Sequence, residues 1–177
     1  MNLEFWKGKK VFITGHTGFK GSWLSLWLKN LEVELTGYSL DSSDQKSFFQ
    51  DAKIANGMNS IVGDICDLDS LKQAIIQSKP DIIIHMAAQA LVRDSYSDPI
   101  STYRTNIMGT INVFEAAREC DTVKSIINVT SDKCYENKER ELGYKEDEPM
   151  GGFDPYSSSK GCAELIASAY RNSFFKP

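Results

Sequence analysis

The chain has 177 residues, 41% of them hydrophobic and 25% charged, which is enough for one domain with a full core and excludes disordered and fibrous classes. A formal charge of −4 gives it no electrostatic reason to seek nucleic acid or an anionic membrane. No window approaches the ~18 consecutive apolar residues of a membrane span.

The N-terminus, MNLEFWKGKKVFITG, has no apolar h-region before a cleavage site, so no signal peptide and a cytoplasmic location are expected. It runs directly into a strand, Val11, Phe12 and Ile13, stopped by glycine. In GSWLSLWLKN, residues Trp23, Leu24, Trp27, Leu28 and Leu31 recur at helical spacing. EVELTGYSL is a second strand and NSIVGD a short third. DLDSLKQAIIQSKP is a helix with Asp67 or Asp69 as its cap and Pro80 just past its end. DIIIHMAA is a fourth strand, apolar throughout as when both faces are covered. A long helix over 99–120, a fifth strand in VKSIINVTS and a helix over 155–175 complete the series. Asp154 is placed to cap the last helix and Pro155 to sit in its first turn. The alternation predicts an α/β fold with a doubly wound, parallel, Rossmann-type sheet. The least regular parts are 41–59 and 136–152, the second rich in Glu, Lys and Gly and expected to be a mobile surface loop.

Cys66, Cys120, Cys134 and Cys162 form no C-x-x-C pair, and the histidines are His16 and His85 alone. Reduced, mostly buried thiols are expected, with no metal site.

Three features carry chemistry. TGHTGFKG places Gly15, Gly18 and Gly21 between the first strand and the first helix. Glycine there permits a tight turn, close approach to a pyrophosphate and close helix–strand packing, and the helix N-terminus favours phosphate. Asp41, with Asp44 as the second choice, stands where an acid would bind adenosine ribose hydroxyls. No arginine stands ready for a 2′-phosphate, so NAD is expected over NADP. Asp64 ends the third strand, as an adenine contact or as a turn residue. Ala87, Ala88 and Gln89 follow the fourth strand, where small side chains admit a flat ligand.

The second feature is the strand end SIINVTSDKCYEN. It finishes an apolar run in Ser131, Asp132 and Lys133, which a buried strand has no structural need for. Such residues at a carboxyl strand end read as an active-site pair or as a surface ion pair. The third is YSSSK, which puts Tyr156 and Lys160 one turn apart on a helix. An ammonium beside a phenol lowers its pKa from ~10 toward neutrality and suits it to act as a base.

Together the spaced glycines, TSDKCYE and Tyr156-x-x-x-Lys160 resemble the extended short-chain dehydrogenase/reductase family. Within it, TGHTGFKGSWLSLWL, MAAQALVRDSY, TNIMGT, VTSDKCYEN and PYSSSKGCAEL resemble the CDP-glucose branch of the sugar-nucleotide 4,6-dehydratases. The resemblance runs over about 11–175. It implies a lyase that uses NAD without consuming it and converts CDP-glucose to CDP-4-keto-6-deoxyglucose, a precursor of deoxysugars in surface polysaccharide. It also implies members longer than this chain. The expectation is a single NAD-binding domain over 1–177, truncated before a C-terminal substrate lobe, with a compact complete domain as the alternative.

The cofactor-binding set implied is Gly15, Thr17, Gly18, Phe19, Gly21, Asp41, Asp64, Ile65, Ala87, Ala88, Gln89, Asn106, Tyr156 and Lys160. The catalytic set is Ser131, Asp132, Lys133, Tyr156 and Lys160. By position Ser131 would bond the sugar hydroxyl near C4, Asp132 would protonate the leaving water, and Lys133 would take the C5 proton. The broader dehydratase pattern has Asp-Glu where this chain has Asp132 and Lys133. A lysine titrates near ~10.4, so acting as a base requires burial or neighbouring cations. Alternatively Lys133 steadies the enolate and Glu136 or water is the base. Asn106 would anchor the active-site helix or be a surface amide. Arg93 and Tyr96 would face substrate phosphates or another subunit. Family members pair through two helices, so a homodimer through 99–120 and 155–175 is expected. Competing readings are a related epimerase or reductase and a non-catalytic dinucleotide-binding module.

Overall fold

The computed structural model describes residues 3–41 and 46–175. Five strands form one parallel sheet: β1 Lys10–Thr14, β2 Glu34–Ser39, β3 Asn59–Val62, β4 Ile82–His85 and β5 Ser125–Asn128. Their spatial order is β3-β2-β1-β4-β5. This is the doubly wound arrangement expected from the alternating pattern. Helices α1 Phe19–Asn30, α2 Phe48–Asp51, α3 Leu68–Ser78, α4 Val92–Ser97, α5 Pro99–Tyr103, α6 Gly109–Arg118 and α7 Pro155–Tyr170 connect or flank the strands.

The apolar strands are explained by two cores. Side chains alternate across a strand, so Val11 and Ile13 of β1 join Leu28, Leu35, Ile82 and Ile84 on one face. Phe12 joins Tyr38, Leu71, Ile83 and Val113 on the other. Burying each such side chain contributes about 1.5–3 kcal/mol, and helices on both faces make the parallel sheet possible.

The helix ends follow their local chemistry. Asp67, of the two candidates, caps α3, accepting from the Ser70 amide at 3.2 Å and from its hydroxyl at 2.6 Å. Asp154 caps α7 through the Ser157 amide at 2.9 Å, with Pro155 in the first turn. Elsewhere the structure refines the sequence reading. The long helix is interrupted by a π-turn, Arg104–Met108, between α5 and α6. The short helices α2 and α4 and a 3-10 turn at Asp132–Cys134 had too few residues to show a period.

The segment 136–152 is a surface loop, as its composition suggests, and it carries contacts of its own. Tyr135 and Tyr144 stack at 5.2 Å and 9°, and the Arg140 guanidinium lies 4.7 Å over the Tyr144 ring while binding both Glu148 oxygens. Tyr135 and Met150 form a β-bridge across its base. Two ion pairs, Arg140 with Glu148 and Lys138 with Glu136, lie within it. All four cysteines are free, Cys120 and Cys134 buried and Cys66 and Cys162 half-buried. No helix among the described residues is long and apolar enough to cross a membrane.

Candidate active site

The strand order brings the carboxyl ends of β1 and β4 side by side at the point where the chain changes direction, the place where open α/β sheets bind ligands. The three glycines of the first turn differ in their surroundings. Gly15 has φ +76°, and a Cβ there would lie 2.8 Å from the backbone of Ala87, so the turn after β1 is pressed against the turn after β4. A Cβ on Gly21 would lie 2.1 Å from the Gly15 carbonyl, so this glycine lets α1 close onto the turn. Above Gly18 only the Gly15 carbonyl approaches, at 3.4 Å, and the residue is exposed.

Helices α3 and α7 begin with aspartate caps, whereas α1 begins at Gly18 without a side-chain cap bond. The N-cap residue of α1 therefore offers the first-turn amides no side-chain acceptor, at the positive end of the helix. Lys20 stands in the same turn, and its charge reaches Lys160. An uncapped helix start under an open glycine fits a diphosphate. Phe19, beside it, is 76% exposed and takes no part in the core.

A cleft of about 220 Å³ adjoins this turn, lined by His16, Thr17, Ser39, Asp41 and Ser60, with Phe49 among its apolar walls. The Thr17 and Ser39 hydroxyls meet at 2.7 Å across it. Asp41 lines one cleft with His16 and Thr17 of the glycine turn, and Asp44 lies outside the described residues. A larger groove of about 670 Å³ lies near Lys10, Glu34 and Asn59, at the amino ends of the strands, the opposite edge from the one these folds use. Asp64 is exposed, and one of its oxygens accepts the Cys66 amide at 2.9 Å, a turn role. Ile65 is buried. A Cβ on Gly109 would strike its side chain at 2.4 Å, and its carbonyl accepts from Asn112 at 2.9 Å, so its contacts are those of a core residue.

Sequence reasoning gave Asn106 two readings, and the anchor is the one its contacts match. The side chain is 2% exposed. Its Oδ1 accepts the Gln89 amide at 2.8 Å, and its Nδ2 donates to the Gln89 carbonyl at 3.0 Å and to the Ser159 hydroxyl at 2.8 Å. One amide thus ties the turn after β4, including Ala87, Ala88 and Gln89, to α7. The π-turn holds Asn106 in this inward position, in keeping with the occurrence of such turns at functional sites. Arg93 and Tyr96 are exposed on α4.

The sequence pattern assigns His85 no role, and its partners come from distant parts of the chain. The Thr14 hydroxyl accepts the amides of Met86 and Ala87, each at 3.1 Å, so its proton goes to His85 Nδ1 at 2.7 Å. This assigns the imidazole proton to Nε2, which donates to Thr110 at 3.0 Å, and Thr110 in turn donates to the Asn106 carbonyl at 2.7 Å. A polar residue closing an otherwise apolar strand was the available signal. Burial, reinforced by the charge of Lys160, lowers the His85 pKa to about 3, and burial lowers that of His16 to about 4.

Both histidines are therefore neutral in the fold and bind a proton near ~6.5 when unfolded. Below that pH the unfolded chain binds more protons, so stability falls from about pH 6.5 down to the folded values. At pH 5 the cost is about 2 kcal/mol for each. Urea midpoints at pH 7 and pH 5 check this; equal midpoints would contradict neutral, buried imidazoles.

The remaining groups converge on α7. Ser131 starts the 3-10 turn, accepting the Lys133 amide at 3.3 Å and donating to Asp132 at 3.1 Å. This turn packs on α7, since a Cβ on Gly161 would lie 3.2 Å from the Cys134 carbonyl. Tyr156 is half-buried and Lys160 is 7% exposed, with its Nζ 3.3 Å from the Val129 carbonyl. Burial lowers the Lys160 pKa while Glu164 raises it. Asp132 and Lys133 are exposed, so these residues alone do not bury Lys133. The arrangement offers a phenol and an ammonium on one helix, beside a hydroxyl, a carboxylate and an amine on the adjoining turn.

Comparison with known proteins fits this geometry. CDP-glucose 4,6-dehydratase of Salmonella typhimurium is 56% identical over 177 residues, which are 100% of this chain and 49% of that enzyme. The UDP-glucose 4-epimerase of Brucella ovis, solved in complex with NAD, superposes with a TM-score of 0.82 at 26% identity, covering 95% of this chain and 49% of that one. A double mutant of the dTDP-glucose 4,6-dehydratase DesIV of Streptomyces venezuelae superposes with a TM-score of 0.81 at 23% identity, covering 93% and 52%, a likeness of fold. The chain spans about half the length of these relatives. The family described as GDP-mannose 4,6 dehydratase matches residues 12–175, nearly the whole sheet and every group gathered at its carboxyl edge, and the chain belongs to that family.

Proposed function

We propose that residues 1–177 are the dinucleotide-binding and catalytic part of an NAD-dependent lyase, a sugar-nucleotide 4,6-dehydratase that converts CDP-glucose to CDP-4-keto-6-deoxyglucose. The observation that carries the reading is the placement of the Asp132 and Lys133 turn against the helix of Tyr156 and Lys160, in a chain 56% identical to a CDP-glucose 4,6-dehydratase. An epimerase or reductase uses the phenol and the ammonium but has no need of an acid–base couple after Ser131.

NAD would lie with its diphosphate over Gly18 and the first turn of α1, its ribose toward Asp41, and its nicotinamide end toward Ala87, Ala88 and Gln89. When bound, it supplies a hydride acceptor that is regenerated within each cycle. Tyr156, with the Lys160 ammonium behind it, takes the proton of the sugar 4-hydroxyl, which Ser131 positions. The 4-keto group acidifies the C5 hydrogen. Lys133 accepts that proton, Asp132 gives one to the 6-hydroxyl, and water leaves across C5 and C6. The 4-keto-6-deoxy product would then be completed by return of the hydride taken from C4 to C6 and of the proton held by Lys133 to C5. As a proton acceptor Lys133 depends on the bound sugar nucleotide to cover it. Cytoplasmic action belongs to the same proposal. So does a homodimer formed through the helices over 99–120 and 155–175, on which Ile100, Met108 and Leu165 are exposed apolar side chains.

The test is incubation with NAD and CDP-, UDP- or dTDP-glucose, followed by the alkali-induced ultraviolet band of a 4-keto-6-deoxy sugar. CDP-glucose should give that product fastest. A C4 epimer in place of the keto sugar would make the protein an epimerase.

A further inference from the structure

The strand end that carries residues 131–133 is held by α7 at three successive positions. Asn128 Nδ2 donates to the Ala163 carbonyl at 3.2 Å, Lys160 Nζ donates to the Val129 carbonyl at 3.3 Å, and the Thr130 hydroxyl donates to the Glu164 carboxylate. Lys160 and Glu164 stand one turn apart on the same helix face. The sequence reading passed over Glu164.

A nearly buried ammonium is costly unless an anion accompanies it. Of the charges acting on Lys160 among the described residues, Glu164 holds its proton on, and Lys20 of the glycine turn works against it. The Glu164 field extends to the 3-10 turn as well. It helps to push the Cys134 thiol up, where burial acts most and Asp132 adds to it, and it helps to push up the Tyr135 phenol. On the β4 side the neighbouring group is His85, kept neutral by burial and by the Lys160 charge. Glu164 is half-buried, with its carboxylate on the Thr130 hydroxyl.

We propose that Glu164 is a positioning residue with two loads: its carboxylate tethers Thr130, and so sets residues 131–133 over α7, and the same carboxylate is the counter-charge of Lys160. The catalytic meaning of this device rests on the dehydratase reading. The tether and the counter-charge do not, and both are measured without cofactor or sugar nucleotide.

Two variants separate the loads in the intact protein. Glu164→Gln removes the charge and keeps an acceptor for Thr130. Thr130→Val removes the hydroxyl and keeps the charge. The Lys160 titration is followed by NMR of carbon-13-labelled lysine, with Lys160→Arg to assign the signal, and residues 131–133 by amide hydrogen exchange. Glu164→Gln should move the Lys160 titration down by about one pH unit and leave exchange at 131–133 close to that of the parent. Thr130→Val should speed that exchange about tenfold and leave the Lys160 titration in place. A purely structural role for Glu164 would not move the lysine. Lys160 titrating alike in the parent and in Glu164→Gln, or unchanged exchange in Thr130→Val, overturns the proposal.

Discussion

Gly21→Ala should cost the protein about 3 kcal/mol or more, whereas Gly18→Ala, three residues earlier in the same motif, should cost about 0.5 kcal/mol. The added methyl at position 21 would stand 2.1 Å from the Gly15 carbonyl. That neighbour is backbone, so no rotamer change relieves the contact, and α1 must move off the sheet. Gly15→Ala should be similarly harmful, because φ +76° is costly for an L-residue and the methyl would meet the Ala87 backbone at 2.8 Å. A loss of this size is a large share of the 5–15 kcal/mol that keeps a domain folded. Gly18 has φ −69° and only a 3.4 Å contact, so alanine is accommodated there. Its methyl would occupy the space we assign to a diphosphate oxygen, and NAD affinity should fall about tenfold or more. Denaturant unfolding and calorimetric titration with NAD of the three variants check the contrast. Equal unfolding midpoints for Gly18→Ala and Gly21→Ala would contradict the packing of the turn, and undiminished affinity in Gly18→Ala would contradict the diphosphate assignment.

The largest effect on activity should come from splitting the two proton-transfer tasks. Tyr156→Phe removes the phenolic oxygen and should lower turnover by roughly 10²–10⁴-fold, with no reduced nicotinamide formed. Lys133→Met should lower product formation on the same scale but leave C4 oxidation intact, so that reduced nicotinamide appears transiently in a rapid-mixing experiment. The difference follows from position. Tyr156 lies on α7 with Lys160, while Lys133 lies on the separate turn Asp132–Cys134 that packs on that helix. Full turnover in Lys133→Met would remove Lys133 from the mechanism and leave Glu136, or water, as the base. Glu136 follows Lys133 by three residues; its amide donates to the Pro149 carbonyl and its exposed carboxylate pairs with Lys138 at 3.7 Å.

Much of this protein is determined within short reaches of its chain. The apolar strand runs, the helix after the glycine turn and the cap at Asp154 depend on residues within a few positions of one another, so the sequence alone specified them, whereas the choice of Asp67 over Asp69 as the cap of α3 and the exposure of Trp23 and Trp27 were left to the structure. The glycine spacing and the one-turn step from Tyr156 to Lys160 are of the same kind. Tertiary structure decided what those patterns could not. Asn106 reaches Gln89 and Ser159 across separations of 17 and 53 residues, Thr14 reaches His85 across 71, and Thr130 reaches Glu164 across 34. It also decided that Gly15 and Gly21 fill packing contacts while Gly18 stays open, and that the charged segment 136–152 folds back on itself. The physical reason is common to these cases. Propensity and periodicity act through neighbours along the chain, whereas a buried polar group takes whichever partner the packed sheet and helices bring within hydrogen-bonding distance.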